Sequence, residues 1–288
     1  MLHPPLFRVG LILTLRCNIQ CRHCWFNCGP ERDEKMTQSE VEYYLNEAAS
    51  NEARWASFTG GEPFLYPDLL KKSIGYASSL GLRTEVVTNS HWAYSFEDAL
   101  QRLTPLKASG LDVLNISVDD FHQEHISMEN IRNAFRAAEK TGLRTVFMIT
   151  LKKEGKITAE SLKSIFEGST LLNIGESKTV EPDALIIESP FIPVGKGENI
   201  GEEALKGGNS PTSCREVLTD IGIKPDGTVM PCCGPLGILE EASLGNLKKE
   251  SLMAILRRAW RTPRFTDIRE QEFTYTSNRC VNCLTRFM

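Results

Sequence analysis

The sequence predicts an α/β fold: an open, partial (β/α)6 barrel followed by a small C-terminal unit made of a β-hairpin and a helix. Three observations predict it. Short apolar runs alternate with helical patterns from about Val9 to Glu188. A stretch rich in Gly and Pro, Ser189–Ser213, then reads as a linker. The nine cysteines gather toward the two ends of the chain and leave its middle empty.

The predicted strands are Val9–Leu15, Trp55–Thr59, Arg83–Thr88, Asp112–Ser117, Arg144–Thr150 and Ala184–Glu188. They are short and mostly rich in Val, Ile, Leu and Thr, as buried parallel strands are. Between them, Thr37 with Glu40 reads as a capping box before Val41–Ala49. Pro67 opens a helix to Leu80 that Gly81 closes, Ser95 caps a helix from Phe96 to about Ser109, and a helix from about Ser127 to Lys140 ends at Gly142. Strand, helix, strand in repetition implies parallel pairing with right-handed crossovers. Beyond the linker, Leu218–Lys224 and Val229–Cys232 flank the turn Pro225-Asp226-Gly227-Thr228, a hairpin signal. An amphipathic helix at about Lys248–Trp260 follows, and the chain closes on Cys280-Val-Asn-Cys283. The expected division is residues 1–195 for the barrel and 196–288 for the C-terminal unit.

Hydrophobic residues make up 41% and charged residues 24%, ordinary for a soluble globular chain. The net charge of −4 shows no basic footprint, which argues against a nucleic-acid partner. The apolar stretch Leu6–Leu15 is interrupted by Arg8 and ended by Arg16, and is too short to span a bilayer. It has neither the basic flank nor the small-residue cleavage site of a signal peptide, so a cytoplasmic location without membrane contact is expected. An odd number of grouped cysteines in a reducing compartment points to metal or redox chemistry rather than disulfides.

The first group is Cys17-Asn-Ile-Gln-Cys21-Arg-His-Cys24, directly after the first predicted strand. A closed four-iron cluster needs four thiolates, and this tight group supplies three. Cys28 could be a fourth, but catalytic metal sites keep a position open. The competing reading, a zinc site, wants a fourth ligand that His23 is too close in sequence to supply easily. The spacing C-x3-C-x2-C resembles the signature of the radical S-adenosylmethionine (SAM) superfamily. That resemblance implies that Cys17, Cys21 and Cys24 hold three irons of a [4Fe–4S] cluster whose fourth iron takes SAM. Reduction by a flavodoxin- or ferredoxin-type donor then yields a 5′-deoxyadenosyl radical, which removes hydrogen from an unactivated carbon. It also places His23 near the adenine.

The second predicted strand runs into Thr59-Gly60-Gly61-Glu62-Pro63, where two glycines allow a sharp turn and close approach to a ligand. This looks like the superfamily's GGEP motif, which implies that Gly60, Gly61, Glu62 and Pro63 contact the methionine ammonium of SAM. Later strand ends supply Asn89, Ser117 and Asp119 for ribose and Met148 for adenine, although Asn89 and Ser117 read equally as turn or cap residues.

In the second group, Cys214 precedes Gly227 and Cys232, and Cys280 with Cys283 completes a pattern that resembles the Twitch domain, the short form of the SPASM domain. Leu244-Gly245-Asn246-Leu247 and Pro193-Val194-Gly195-Lys196-Gly197 share that resemblance. It implies a second, fully ligated [4Fe–4S] cluster on Cys214, Cys232, Cys280 and Cys283 that carries electrons; a structural zinc is the alternative. Cys233 could replace Cys232. Either Cys28 or Cys233 could return a hydrogen atom to a substrate radical, as in peptide epimerases of this superfamily, or be an idle buried thiol. His122 or His125 could serve as a base, or be helix-entry polar residues. Glu188 could face substrate, and Trp25 and Phe26 could shield the cluster. The expected substrate is a ribosomally made peptide; a small alcohol such as an aminocyclitol competes, and a non-enzymatic iron–sulfur or zinc protein is a third reading.

Overall fold

The computed structural model describes residues 6–176, 181–203, 213–270, 279–284 and 287. The chain begins with β1 (Arg8–Thr14), almost wholly buried, and α1 (Gln38–Ser50), opened by the capping box of Thr37 and Glu40. Then come β2 (Trp55–Gly60), α2 (Pro67–Ser79), β3 (Arg83–Thr88), α3 (Phe96–Ala108), β4 (Val113–Ser117), α4 (Met128–Thr141) and β5 (Arg144–Leu151). Ser95 and Ser127 cap α3 and α4, and Gly142 ends α4 at φ 70°. The chain continues through α5 (Ala159–Ile165), β6 (Leu171–Asn173), β7 (Ala184–Pro190), β8 (Asp220–Ile223), β9 (Thr228–Met230) and β10 (Gly245–Asn246). It ends with α6 (Leu252–Ala259), α7 (Pro263–Glu270) and α8 (Arg279–Leu284).

These strands form one sheet in the order β10-β9-β8-β1-β2-β3-β4-β5-β7-β6. All pairings from β8 through β6 are parallel; β9 and β10 add antiparallel pairings at one edge. The six predicted strands are present, at positions β1 to β5 and β7. The pattern missed β6 and α5: a strand of 3 residues is too short to show a period. The helix expected from Lys248 starts at Leu252, because the Ser251 hydroxyl accepts from Ala254 N (3.4 Å) and so caps it there. The hairpin is not a detached appendage. β8 pairs with β1 from Arg8↔Asp220 to Leu11↔Ile223, and so satisfies backbone groups that β1 would otherwise present as an open edge.

Register divides the sheet into two faces. Leu11, Phe58, Val86, Ile116 and Phe147 lie on one face and join the main core with Leu45, Ile74, Leu103 and Phe135 of the helices. Each such side chain contributes on the order of 1.5–3 kcal/mol by leaving water. The other face follows the pairings Ile12↔Thr59, Asn115↔Val146, Ser117↔Met148 and Met148↔Ile187, and it looks into the barrel lumen. Gly10 shares that face. Its lower rim holds an ion triad in which Arg8 meets Glu85 (2.8 Å) and Asp220 (3.1 Å).

Candidate functional site

A cavity of about 670 Å³ opens at the C-terminal ends of the parallel strands, the end at which α/β barrels carry their chemistry. Its volume falls within the range of small-molecule sites. Cys17, Cys21, His23, Cys24, Cys28, Gly60, Gly61, Asn89, Ser117, Asp119, His122 and Met148 all line it, so most of the sequence-predicted site is brought together here. Cys280 reaches it as well; Glu62, Pro63, Cys214, Cys232, Cys233, Cys283 and His125 do not line it.

The cysteine loop leaves β1 and closes on itself. Cys17 N donates to the Gly29 carbonyl (3.1 Å), Gly29 N to the Leu15 carbonyl (3.3 Å), and Cys24 N to the Cys21 carbonyl (3.2 Å). The three thiols do not share one environment. Burial pushes Cys17 up to about 12. Cys24 is drawn down to about 6, chiefly because the Cys28 thiol donates to it, with Cys28 N also 3.4 Å from its Sγ. The same donation and burial push Cys28 up. Cys17, Cys21, Cys24 and Cys28 all line this cavity, and thiolates are the usual donors to iron–sulfur clusters.

The glycine turn after β2 presses on this loop. A Cβ on Gly61 would stand 2.0 Å from Arg16 O and 2.9 Å from Cys17 N. One on Gly60, at φ 148°, would stand 2.3 Å from Thr14 O. No side chain fits at either position, so the turn packs directly on the cysteine loop, and Gly60 and Gly61 present only backbone where they line the cavity. Glu62 is fully buried and braces the turn from behind: it accepts from Phe64 N (3.0 Å), the Thr88 hydroxyl (2.9 Å) and Asn89 N (2.9 Å). Burial pushes Glu62 up to about 7 against those donors. Asn89 in turn reaches Cys17 Sγ (3.7 Å) and Asn18 Oδ1 (3.0 Å).

The β4–α4 loop forms the opposite wall. Asp119 Oδ1 accepts from both His122 N and His122 Nδ1 (2.9 Å each), and Oδ2 accepts from Thr150 N (3.3 Å). Burial works to raise Asp119, but His122 overrides it and holds the carboxyl at about 2. Burial likewise opposes the charged form of His122, and Asp119 and the Cys21 thiol override it, raising the ring well above its usual value. The His23 ring stacks on Phe121 at 4.4 Å, and burial pushes it down to about 4. Its Nδ1 is buried without a hydrogen-bond partner among the described residues, as a group awaiting a ligand would be. Sequence reading named these side chains singly. It missed the His23–Asp119–His122 grouping, in which potential ligand atoms lie within 4.8 Å of one another, and it missed Phe121.

Glu188 lines the cavity while its carboxylate accepts from Ala159 N (2.7 Å) at the start of α5. Trp25 and Phe26 flank the cysteine loop at the cavity wall. Trp92 sits behind it, buried, donating to the Thr88 hydroxyl (2.9 Å).

The second cysteine group assembles beside β9. Cys232 has Cys214 and Cys280 as electrostatic neighbours, accepts from Gly234 N (3.3 Å), and is pushed up to about 12 by burial. Cys280 and Cys283 lie one turn apart on α8. Cys233 points the other way. Its thiol donates to the Ile221 carbonyl (3.1 Å) and occupies the space a Gly10 side chain would need, 2.6 Å from that Cβ position. Gly10 is on the lumen face, so Cys233 faces the lumen while Cys232 faces the other cysteines.

Residues 11–164 match the family model of the Radical SAM superfamily. The chain belongs to that superfamily. Residues 214–284 match the SPASM iron–sulfur cluster-binding domain, so this is a radical SAM protein with a C-terminal SPASM domain. Its radical SAM domain binds a [4Fe–4S] cluster and SAM, and its SPASM domain indicates further iron–sulfur ligation. The convergent thiols, the bare glycine backbone and the orphan His23 nitrogen fit such cofactors. Among relatives, the Bacillus subtilis protein YydG, named for peptide biosynthesis, is 24% identical over 234 residues, 79% of this chain and 69% of its own. Fe-coproporphyrin III synthase of Methanosarcina barkeri is 25% identical over 150 residues, 49% of this chain and 36% of its own. The solved structure of anSMEcpe with bound AdoMet superposes with a TM-score of 0.58 at 13% identity, covering 99% of this chain and 96% of that one. That likeness shows the fold. Among the described residues no helix is long and apolar enough to cross a membrane.

Proposed function

We propose that this radical SAM protein abstracts a hydrogen atom from a carbon of a ribosomally made peptide during the peptide's maturation. The observation that carries the reading is the convergence of Cys17, Cys21 and Cys24 on one wall of an open cavity backed by the bare Gly60-Gly61 turn. Cluster and SAM, bound there, supply one electron and the carbon radical that removes hydrogen. The chain's own residues do the rest. Cys17, Cys21 and Cys24 bind iron. Gly60 and Gly61 offer backbone to the SAM ammonium, with Glu62 and Pro63 holding that backbone in place. His23 and Met148 flank the adenine, and Ser117 and Asn89 meet the ribose. Asp119 is engaged by His122 and Thr150, so it orients His122 more than it contacts a sugar. His122 carries a proton between Asp119 and Cys21, which suits it less to act as a base on substrate.

Cys214, Cys232, Cys280 and Cys283 hold the second cluster in this reading. In this reading either Cys28, which lines the cavity, or Cys233, which packs on Gly10, returns a hydrogen atom. The peptide class is supported by the YydG relative across 79% of the chain. A flavodoxin- or ferredoxin-type donor and a cytoplasmic setting follow from the need for low-potential electrons and reduced thiols. The barrel unit and the C-terminal unit meet between the end of β7 and the start of β8, and we set the division at 195/196.

The test is anaerobic reconstitution with SAM and a reductant, with and without a short peptide encoded beside the gene. 5′-Deoxyadenosine formed together with a modified peptide supports the reading. Consumption of small alcohols with the peptide untouched overturns the peptide assignment, and absence of 5′-deoxyadenosine overturns the reaction.

A further inference from the structure

The segment Pro193-Val194-Gly195-Lys196-Gly197 lies outside the cavity lining and outside the chemistry above. It nevertheless folds back over the outgoing half of the cysteine loop. Lys196 N donates to the Cys24 carbonyl (3.1 Å), and Lys196 Nζ donates to the Cys28 carbonyl (2.5 Å), a contact spanning 168 positions of sequence. Gly195, at φ 60°, lies flush on the same loop: a Cβ there would stand 2.3 Å from Trp25 O and 2.8 Å from Cys24 O. Gly197 N closes the strap by donating to the Val194 carbonyl (3.0 Å). A backbone hydrogen bond, an ammonium–carbonyl bond and a bare glycine thus hold residues 24–28 from outside.

We propose that Lys196 is a positioning residue for the first cluster: it clamps the Cys24–Cys28 segment so that the three thiols stay convergent, and its ammonium makes the cluster easier to reduce. This rests on the reading of Cys17, Cys21 and Cys24 as ligands. Reduction adds a negative charge to the cluster, and a cation fixed on the backbone of the ligand loop, at the Cys28 carbonyl, stabilises that added charge. Net charge and hydrogen bonding around the sulfurs are the protein's usual levers on such potentials. Groups that orient metal ligands also govern metal retention.

The experiment compares full-length, anaerobically reconstituted wild type, Lys196→Met and Lys196→Arg. The EPR signal that responds to added SAM isolates the first cluster, and its midpoint potential is measured by redox titration. Iron release to a chelator is followed in parallel. Lys196→Met is expected to be about tenfold harder to reduce, ~59 mV lower for a one-electron couple, and to release iron faster. Lys196→Arg, which keeps the charge, is expected to restore at least half of the potential shift. Equal potentials and equal iron release in wild type and Lys196→Met overturn the proposal. If Lys196→Met takes up no iron, deuterium exchange in metal-free protein decides: faster exchange over residues 24–29 supports the clamp, and unchanged exchange overturns it. A wild type without any SAM-responsive signal sinks the ligand reading itself, an outcome distinct from failure of the clamp.

Discussion

The two cysteine groups are assembled in opposite ways. The first packs Cys17, Cys21 and Cys24 into a single loop that closes on its own backbone and faces an open cavity. The second brings Cys214 and Cys280 beside Cys232 from distant positions, with Cys283 one turn from Cys280 on the C-terminal helix α8. The local group lies flush against the glycine turn, since a Cβ on Gly61 would stand 2.0 Å from Arg16 O. The dispersed group offers four thiols, which in the proposed reading leave no coordination position vacant. The difference teaches that a tight loop presents its thiols through covalent spacing alone, whereas a dispersed group must be gathered by the fold.

Breaking the first group is expected to have the largest effect. Cys21→Ala should abolish 5′-deoxyadenosine formation and leave about four of about eight irons per chain, measured after anaerobic reconstitution. Retained turnover would erase the distinction between the groups. Next comes the second group: Cys232→Ala should also fall to about four irons, yet keep the SAM-responsive EPR signal, while Cys233→Ala keeps about eight. Equal iron contents in these two variants would contradict the opposed orientations of the adjacent thiols.

Gly61→Ala sharpens the comparison from the backbone side. Its Cβ would stand 2.0 Å from Arg16 O, so the cysteine loop must shift. A loss of about 1–3 kcal/mol is expected, read by urea unfolding of metal-free protein, together with weaker SAM binding in the reconstituted form. An unchanged unfolding midpoint would mean that the turn and the loop are not coupled.

The smallest effect concerns the wall facing the loop. Asp119 is held at about 2 against its ordinary 3.8, where His122 overrides burial. A depressed carboxyl contributes stability above pH 3.8 and loses it as pH falls toward 2. The raised His122 has the opposite sign: its contribution is present below pH 6.5 and fades as pH rises through its higher folded value. Asp119→Asn should therefore cost about 2 kcal/mol near pH 5–6 and approach wild type in strong acid. Parallel stability–pH curves for the two metal-free proteins would exclude this ion pair as the cause.

Much of the site was legible before any coordinates. Cys17, Cys21 and Cys24 are spaced closely enough for one loop to present them, and Gly60-Gly61 follows a recognisable strand. The partners of those residues were not legible. Asp119 reads as a ribose contact, and nothing in the sequence shows that its oxygens also accept from His122 and Thr150. Lys196 reads as part of a linker until it is found on the Cys28 carbonyl. β6 escaped notice because 3 residues carry no period.

The sequence by itself determined the alternation of strands and helices, the helix caps and the tight cysteine loop, because each depends on side chains a few bonds apart whose spacing is covalent. Only the tertiary structure decided that β8 covers the edge of β1, that Cys232 turns toward Cys214 and Cys280 while Cys233 turns to the lumen, and that a strap from beyond β7 locks the first loop. Those choices depend on which surfaces pack together across long stretches of chain. No local pattern encodes that, because the same residues would keep their propensities in any other packing.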